Sequence, residues 1–251
     1  GSIFKTKIVI QEQNYLPGIS NKIISRFATT ISVAFENMER FFPQKKIILT
    51  GNPVRSSLIK SKLEVAKNKN NSLLSNFSLN ILVLGGSLGS EKLNEIISNN
   101  IFFFKKNKIK VIWQCGKIYY ERYKAFENKF VKIFPFLEQI DSFYNECDIV
   151  ISRAGALTIS ELCIVGKPSI LVPSPNVSEN HQFYNAKYLV DRKAAIMIEE
   201  KKINIEFLMH LQKILESKEI RRQLSKAIYK LARPNATKEI VLQINNILSN
   251  E

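Results

Sequence analysis

Cysteine is scarce in this 251-residue chain, and what there is has no pattern: Cys115, Cys147 and Cys163 stand apart, odd in number and without metal-ligand spacing. Neither a disulfide framework nor a zinc site is indicated, and reduced thiols in or near a core are expected. Long apolar runs are missing too. No window reaches the roughly 18 continuous apolar residues of a membrane span, and no signal peptide precedes the first strand, so the protein is expected in the cytosol. Acidic residues are outnumbered: Lys and Arg total 37 against 22 Asp and Glu, a formal charge of +15. Such a balance suits nucleic acid or anionic lipid headgroups. The lysines are scattered among Asn and Ile and form no stripe, and the aromatics form no RNA-binding signature. A basic nucleic-acid-binding α/β protein is therefore the competing class, and no nucleic-acid partner is expected.

What is present is a globular composition, 45% apolar and 24% charged, on a chain long enough for one full domain and part of another. Apolar runs at 80–84, 110–114, 131–134, 149–151 and 169–172 read as buried strands, the last closed by Pro173, with amphipathic stretches at 119–128 and 138–146 between them. Earlier strands are expected at 7–10, 31–34 and 47–50, with a helix at 21–27. A polar stretch rich in Lys and Asn at 58–78, read as helix and loop, follows a junction near Asn52-Pro53-Val54. Pro234 breaks one helix ahead of another at 235–248. The expected organisation is residues 1–54 as part of a first domain, 55–233 as a doubly wound parallel α/β domain, and 234–251 as a helix returning to the first.

Two turns of this second domain carry chemistry. Ile149-Val150-Ile151 leads into Ser152-Arg153-Ala154-Gly155-Ala156-Leu157-Thr158-Ile159-Ser160-Glu161, a strand, a tight turn and a helix start, with the first helical turns read at 159–165. Small residues let a ligand approach the backbone, Thr158 and Ser160 add hydroxyls beside unpaired N–H groups, and the helix dipole adds about half a positive charge. Phosphate suits such a place. Glu161, one turn further on, suits hydroxyl donors such as a ribose diol. The second turn, Gly85-Gly86-Ser87-Leu88-Gly89-Ser90, again links a strand to a helix pattern at 91–97. It lacks the third glycine and the later acidic residue of a dinucleotide fingerprint, so NAD is disfavoured.

In order along the chain, Gln11-Glu12-Gln13-Asn14 with Pro17-Gly18, Thr50-Gly51-Asn52-Pro53-Val54-Arg55, Gly85-Gly86-Ser87-Leu88-Gly89, Gln114-Cys115-Gly116-Lys117, Pro135-Phe136-Leu137, Arg153 to Glu161, and His181-Gln182 with Asn185-Ala186 resemble the MurG family. These are the UDP-N-acetylglucosamine transferases that complete lipid II on the inner face of the bacterial cytoplasmic membrane. The resemblance implies a GT-B fold, two Rossmann-like domains across a cleft, with the first incomplete here. It implies an inverting transfer of N-acetylglucosamine from UDP to the 4-hydroxyl of the N-acetylmuramyl unit of lipid I, by a peripheral protein drawn to anionic inner-leaflet lipids, with partners among the cell-wall enzymes. Ser87 and Arg55 then look like diphosphate contacts, completed by Thr158 and the backbone at Leu157. Glu161 resembles the ribose carboxylate. The main chain at Leu137 would read uracil, Ala156 would lie near the sugar, and His181 and Gln182 would address its hydroxyls with Asn185 in support. The helix dipole and Arg55 offset the charge developing on UDP, so neither an Asp-x-Asp metal motif nor a cofactor is required.

On the acceptor side, Glu12 is a candidate general base and Asn14 a candidate substrate contact, against the alternative that Glu12-Gln13-Asn14 is a hydrogen-bonded loop holding that side's architecture. Lys22, Arg26, Arg40, Lys45 and Lys46, interleaved with Phe27, Phe41 and Phe42, are the candidates for a membrane-facing part. The family's glycine-rich, histidine-bearing first loop is absent from this chain, and Gln11 stands where a histidine is common. The expectation for these 251 residues alone is donor binding with little or no transfer, and the alternative reading is an inactive sugar-nucleotide-binding remnant.

Overall fold

The computed structural model describes residues 6–60 and 79–249, so most of the polar stretch expected at 58–78 lies outside the described residues. Strands β1 (Val9–Glu12), β2 (Thr30–Val33) and β3 (Ile47–Leu49) form a three-stranded parallel sheet, with the short helix α1 (Ile19–Ile24) between the first two. A six-stranded sheet follows, built from β4 (Leu79–Leu84), β5 (Ile109–Gln114), β6 (Val131–Phe134), β7 (Ile149–Ser152), β8 (Ser169–Leu171) and β9 (Ile196–Met197). Its order is β6-β5-β4-β7-β8-β9 and every pairing is parallel. The order reverses between β4 and β7, which pair Leu84 with Ser152 at their carboxyl ends. In open α/β sheets ligands collect at such a switch point, and both small-residue turns leave from it.

The strands alternate their side chains between two layers of helices, as the period of two requires. Ile81 and Val83 point into one apolar layer with Trp113. Those residues meet α2 (Glu91–Asn99), α3 (Ile101–Lys106), α4 (Tyr120–Tyr123) and α8 (Ile203–Glu216). Leu82 and Leu84 point into the other, with α5 (Ile140–Glu146), α6 (Ala156–Val165), α7 (His181–Asp191) and the end of α9 (Lys218–Tyr229). This second layer runs on into Ile31, Val33 and Phe35 of the smaller sheet, so one apolar cluster underlies both sheets. Each fully buried Leu, Ile or Phe there contributes about 1.5–3 kcal/mol, and α6 supplies Ile159, Leu162, Cys163, Ile164 and Val165 to that shared cluster. Burial also pushes the thiols up, Cys115 to about 11 and Cys147 and Cys163 to about 12, which keeps all three protonated and inert.

The differences from the sequence expectation have physical causes. Helix α6 starts at Ala156, ahead of the apolar periodicity that begins at Ile159, because the first turn is exposed and carries no hydrophobic stripe. Strand β1 runs two residues further than expected and takes in Glu12, whose buried side chain interrupts the apolar run. The stretch at 119–128 is a broken succession of short turns around α4, and that at 138–146 shortens to α5. The last helix, α10 (Ala236–Ser249), follows Arg233, whose side chain packs on Gly51 and reaches Glu36 Oε1 at 3.6 Å. Among the described residues no helix is long and apolar enough to cross a membrane.

Candidate functional site

The two helix starts at the switch point are not equivalent. At α2, Ser90 Oγ accepts from the Leu93 N–H at 3.2 Å, so its first turn is capped from within. At α6, Gly155 offers no side-chain cap, and the N–H groups of Ala156, Leu157 and Thr158 belong to an open first turn. A side chain at Gly155 would meet only Thr158 Oγ1, at 3.7 Å, so this is the end that leaves room for an anion. The exposed Ser87 lies on the turn after β4, the strand that pairs with β7 at the switch point. Two neighbours in the motif point elsewhere. The Arg153 guanidinium donates to the Val172 carbonyl at 3.1 Å and pairs with Glu200. Ser160 Oγ, expected beside the anion, donates to the Ala156 carbonyl at 3.0 Å and accepts from Asn52 Nδ2 at 3.1 Å, which places it on the inner face of the helix.

One turn along α6, Glu161 is the best-defined polar group of the site, its side chain 12% exposed. Arg55 Nε lies 3.1 Å from Oε1, and the buried Tyr144 hydroxyl donates to Oε2 at 3.3 Å. Burial pushes the Glu161 carboxyl above the usual carboxylate range, opposed by the Arg55 charge and the Tyr144 hydrogen bond. The expected diphosphate contact and the expected ribose contact are thus in each other's grip, and the Arg55 side chain remains 44% exposed. Tyr144 went unmarked in the sequence, where it is one apolar-facing position of an amphipathic stretch. Leu137 follows β6 at the same edge with its side chain buried in the core, leaving its main chain as the part that any ligand would meet.

Across the cleft, Glu12 is tied into its own loop. Its carboxylate is 3% exposed and accepts from Asn14 N–H at 2.8 Å, Gly18 N–H at 3.2 Å and Asn21 Nδ2 at 2.8 Å. These three donors bend the 13–18 loop around the carboxylate, the arrangement of the loop-holding alternative. Asn14 Oδ1 accepts from Asn185 Nδ2 at 3.0 Å, and Asn185, fully buried, also donates to the Ala154 carbonyl at 3.2 Å and accepts from Tyr15 N–H at 2.9 Å. Both asparagines therefore join the two sides of the cleft, and Asn185 is out of reach of any ligand. Asn52, which sequence reasoning passed over inside its motif, does the same on the other flank. Its side chain accepts from Gln11 Nε2 at 2.9 Å and donates to the Gln13 carbonyl at 3.0 Å as well as to Ser160.

His181 and Gln182 open α7 after Glu179 and Asn180, two successive non-glycine residues with left-handed backbone, at φ of 51° and 54°. Strain of this kind, about 1–3 kcal/mol per residue, persists only where surrounding contacts hold it. Here the holding contacts are the ones the two side chains make. His181 Nδ1 donates to the Leu16 carbonyl at 2.8 Å, and Nε2 lies 3.9 Å from Glu179 Oε2. Gln182 Oε1 accepts from the Ala154 and Ser174 N–H groups at 3.2 and 2.9 Å, leaving its amide NH₂ as the group available to a sugar. His181 borders a cleft of about 280 Å³ whose other side is formed by Gln11, Gln13, Asn14, Ser20 and Asn21. Among the described residues no three His, Cys, Asp or Glu side chains converge as metal ligands.

The model of the glycosyltransferase family 28 C-terminal domain matches residues 80–240. A relative from Flavobacterium psychrophilum, named UDP-N-acetylglucosamine–N-acetylmuramyl-(pentapeptide) pyrophosphoryl-undecaprenol N-acetylglucosamine transferase, is 45% identical over 256 residues, covering all of this chain and 68% of its own length. The chain belongs to the MurG family. A relative of the same name from Christiangramia forsetii is 40% identical over 97% of this chain and 66% of its own length, so the chain spans about two thirds of the relatives it matches. The crystal structure of Acinetobacter baumannii MurG superposes with a TM-score of 0.80 at 28% identity, over 98% of this chain and 68% of that one. The two parallel sheets facing across a cleft are accordingly the GT-B fold, with the smaller sheet the less complete of the two.

Proposed function

We propose that this MurG-family chain binds UDP-N-acetylglucosamine at the carboxyl edge of its six-stranded sheet and serves N-acetylglucosamine transfer to lipid I, giving lipid II. Residues 1–54 then belong to the acceptor side, 55–233 to the donor domain and 234–251 to a returning helix. The observation that carries the reading is Glu161, a scarcely exposed carboxylate set one turn beyond an uncapped helix start, with Arg55 against it. The diphosphate lies on the N–H groups of Ala156 to Thr158, with Ser87 and Arg55 around it. The ribose diol donates to Glu161, uracil lies on the main chain at Leu137, and the sugar falls between Ala156, the Gln182 amide and His181. In an inverting transfer the acceptor 4-oxygen bonds to the anomeric carbon as the bond to UDP breaks, and the acceptor's proton passes to a base. Positive charge from the helix start and Arg55 stabilises the departing UDP without a metal ion.

The test is thermal unfolding with millimolar UDP or UDP-N-acetylglucosamine against ADP and GDP. A ligand bound at about 100 times its Kd adds roughly 2.7 kcal/mol to stability, so the uridine nucleotides alone should raise the midpoint by several degrees. No shift with either would overturn the reading.

We further propose that α1 meets an anionic membrane surface. Ile19, Ile23 and Phe27 are each about 60% exposed, and none of the helix is buried. This set differs from the one expected. Phe42 is core, Arg40 stacks 4.6 Å from the Tyr15 ring centroid, and Lys46 Nζ binds the Arg26 carbonyl at 2.8 Å. The apolar row between Lys22, Arg26 and Lys45 suits an interfacial helix, at about 1 kcal/mol per basic residue. Co-sedimentation with phosphatidylglycerol vesicles, but not with phosphatidylcholine alone, is expected, with binding lost in Ile23→Asp and weakened in 0.5 M salt, roughly a 4 Å Debye length. Equal binding by Ile23→Asp would remove α1 from the interface.

A further inference from the structure

A carboxylate that reads a diol must keep its plane while its partners change. Among the described residues Glu161 has two hydrogen-bond donors, Arg55 on Oε1 and Tyr144 on Oε2. They differ in kind. Arg55 is half exposed on a long, flexible side chain and is paired with Glu161, one turn beyond the open helix start that would take a diphosphate. A phosphate placed there competes for its guanidinium. Tyr144 cannot leave: its ring is completely buried in the layer beneath α6, between α5 and the sheet, and among the described residues its hydroxyl hydrogen-bonds to Glu161 alone. The phenol is held protonated by burial and by the neighbouring Glu161 charge, so it acts as a donor across the accessible pH range. Being fully buried, it touches no ligand.

We infer that Tyr144 is a positioning residue that sets selectivity for ribose over deoxyribose in the donor, by fixing the Glu161 carboxylate when Arg55 turns to the diphosphate. The inference rests on the uridine-nucleotide reading of the site. With Oε2 tethered, the remaining lone pairs of both oxygens stay aimed outward, and a vicinal diol can donate to the pair. Without the tether the carboxylate is free to follow Arg55 or to rotate in its pocket, and a second hydroxyl on the ribose brings little more than one.

Titration of the 251-residue chain with UDP and with 2′-deoxy-UDP tests this. The wild type should prefer UDP by about tenfold or more, the worth of one hydroxyl bonded to a buried carboxylate. Tyr144→Phe removes one oxygen from an unchanged ring, so its melting midpoint should stay within roughly 5 °C of wild type. It should bind UDP about tenfold more weakly, bind 2′-deoxy-UDP within about twofold of wild type, and so lose the preference. In a Glu161→Gln background the same change should alter UDP affinity less than about twofold, because a residue acting through another shows its effect only while that other is present. A wild-type preference retained in Tyr144→Phe, an equal loss for both ligands, or full additivity with Glu161→Gln would each overturn the assignment while leaving the donor site intact. Failure of the wild type to bind UDP would instead overturn the reading on which it rests, and the assignment with it.

Discussion

Gly116→Ala should lower stability by about 3–5 kcal/mol and abolish UDP binding, although residue 116 is not expected to touch the nucleotide. Gly116 has φ 96° and ψ 145°, a region of backbone space that glycine alone occupies readily, and holding an alanine there costs about 1–3 kcal/mol. Space is as tight as conformation. A Cβ at this position would lie 2.5 Å from the Gly89 Cα, 2.7 Å from the Gly89 nitrogen and 2.7 Å from the Leu88 carbonyl oxygen, all of them backbone. Overpacking against atoms that cannot rotate away adds about 1–3 kcal/mol more. The atoms it would displace form the end of the turn that carries Ser87. That turn is docked on the end of β5 by Gly85 N–H to the Gln114 carbonyl at 3.2 Å and Gln114 Nε2 to the Gly86 carbonyl at 2.9 Å. Urea midpoints give the stability, and calorimetric titration gives the affinity. Gly18→Ala is the control. Its φ is −63° and nothing lies within 4 Å of the added carbon, so a change within about 0.5 kcal/mol is expected. Equal midpoints for Gly116→Ala and wild type would mean that the turn at Gly89 yields to the added carbon without cost.

The strands were legible because parallel strands buried on both faces are continuous apolar runs, and β4, β5 and β7 need no alternation to be seen. The exception is β9, whose two residues, Ile196 and Met197, give no period at all. The open helix start at Ala156 to Thr158 was legible as a strand end followed by small residues. Its internal wiring was not. Tyr144 and Glu161 lie 17 residues apart, and Asn52 and Ser160 lie 108 apart, so no local spacing announces either pair. The acceptor-side motif shows the converse failure. A polar residue in a loop looks the same whether its partner is a ligand or the chain itself, and Glu12 and Asn14 proved to be tied inward, to Gly18, Asn21 and Asn185. Burial separates the two cases, and burial is a property of the fold.

Asn185→Ala should destabilise the chain by about 2–4 kcal/mol and weaken UDP binding at the same time, because one side chain serves both halves of the cleft. Its loss strands the Ala154 carbonyl in a fully buried place and the Tyr15 N–H in a partly buried one, and each unpaired group costs about 1–3 kcal/mol. Ala154 stands immediately before the open turn of α6, and Tyr15 packs on the Phe35 and Tyr188 rings, with centroids 5.8 and 5.0 Å away, so the slack reaches the anion site and the acceptor loop together. Asn185→Asp separates the donor role from mere bulk. Shape and the acceptor for Tyr15 are kept, but both donated bonds are lost and a charge is buried beside the Asn14 and Ala154 oxygens. At neutral pH it should be at least as unstable as the alanine variant. Its deficit should shrink as the pH falls, because protonation removes the charge and restores one donor, whereas the alanine deficit should not depend on pH. If Asn185→Asp matched the wild type in urea at pH 7.5, Asn185 would be a packing residue, and the coupling of the two sides would have to lie with Asn52 and the Glu36 pairing to Arg192 and Arg233.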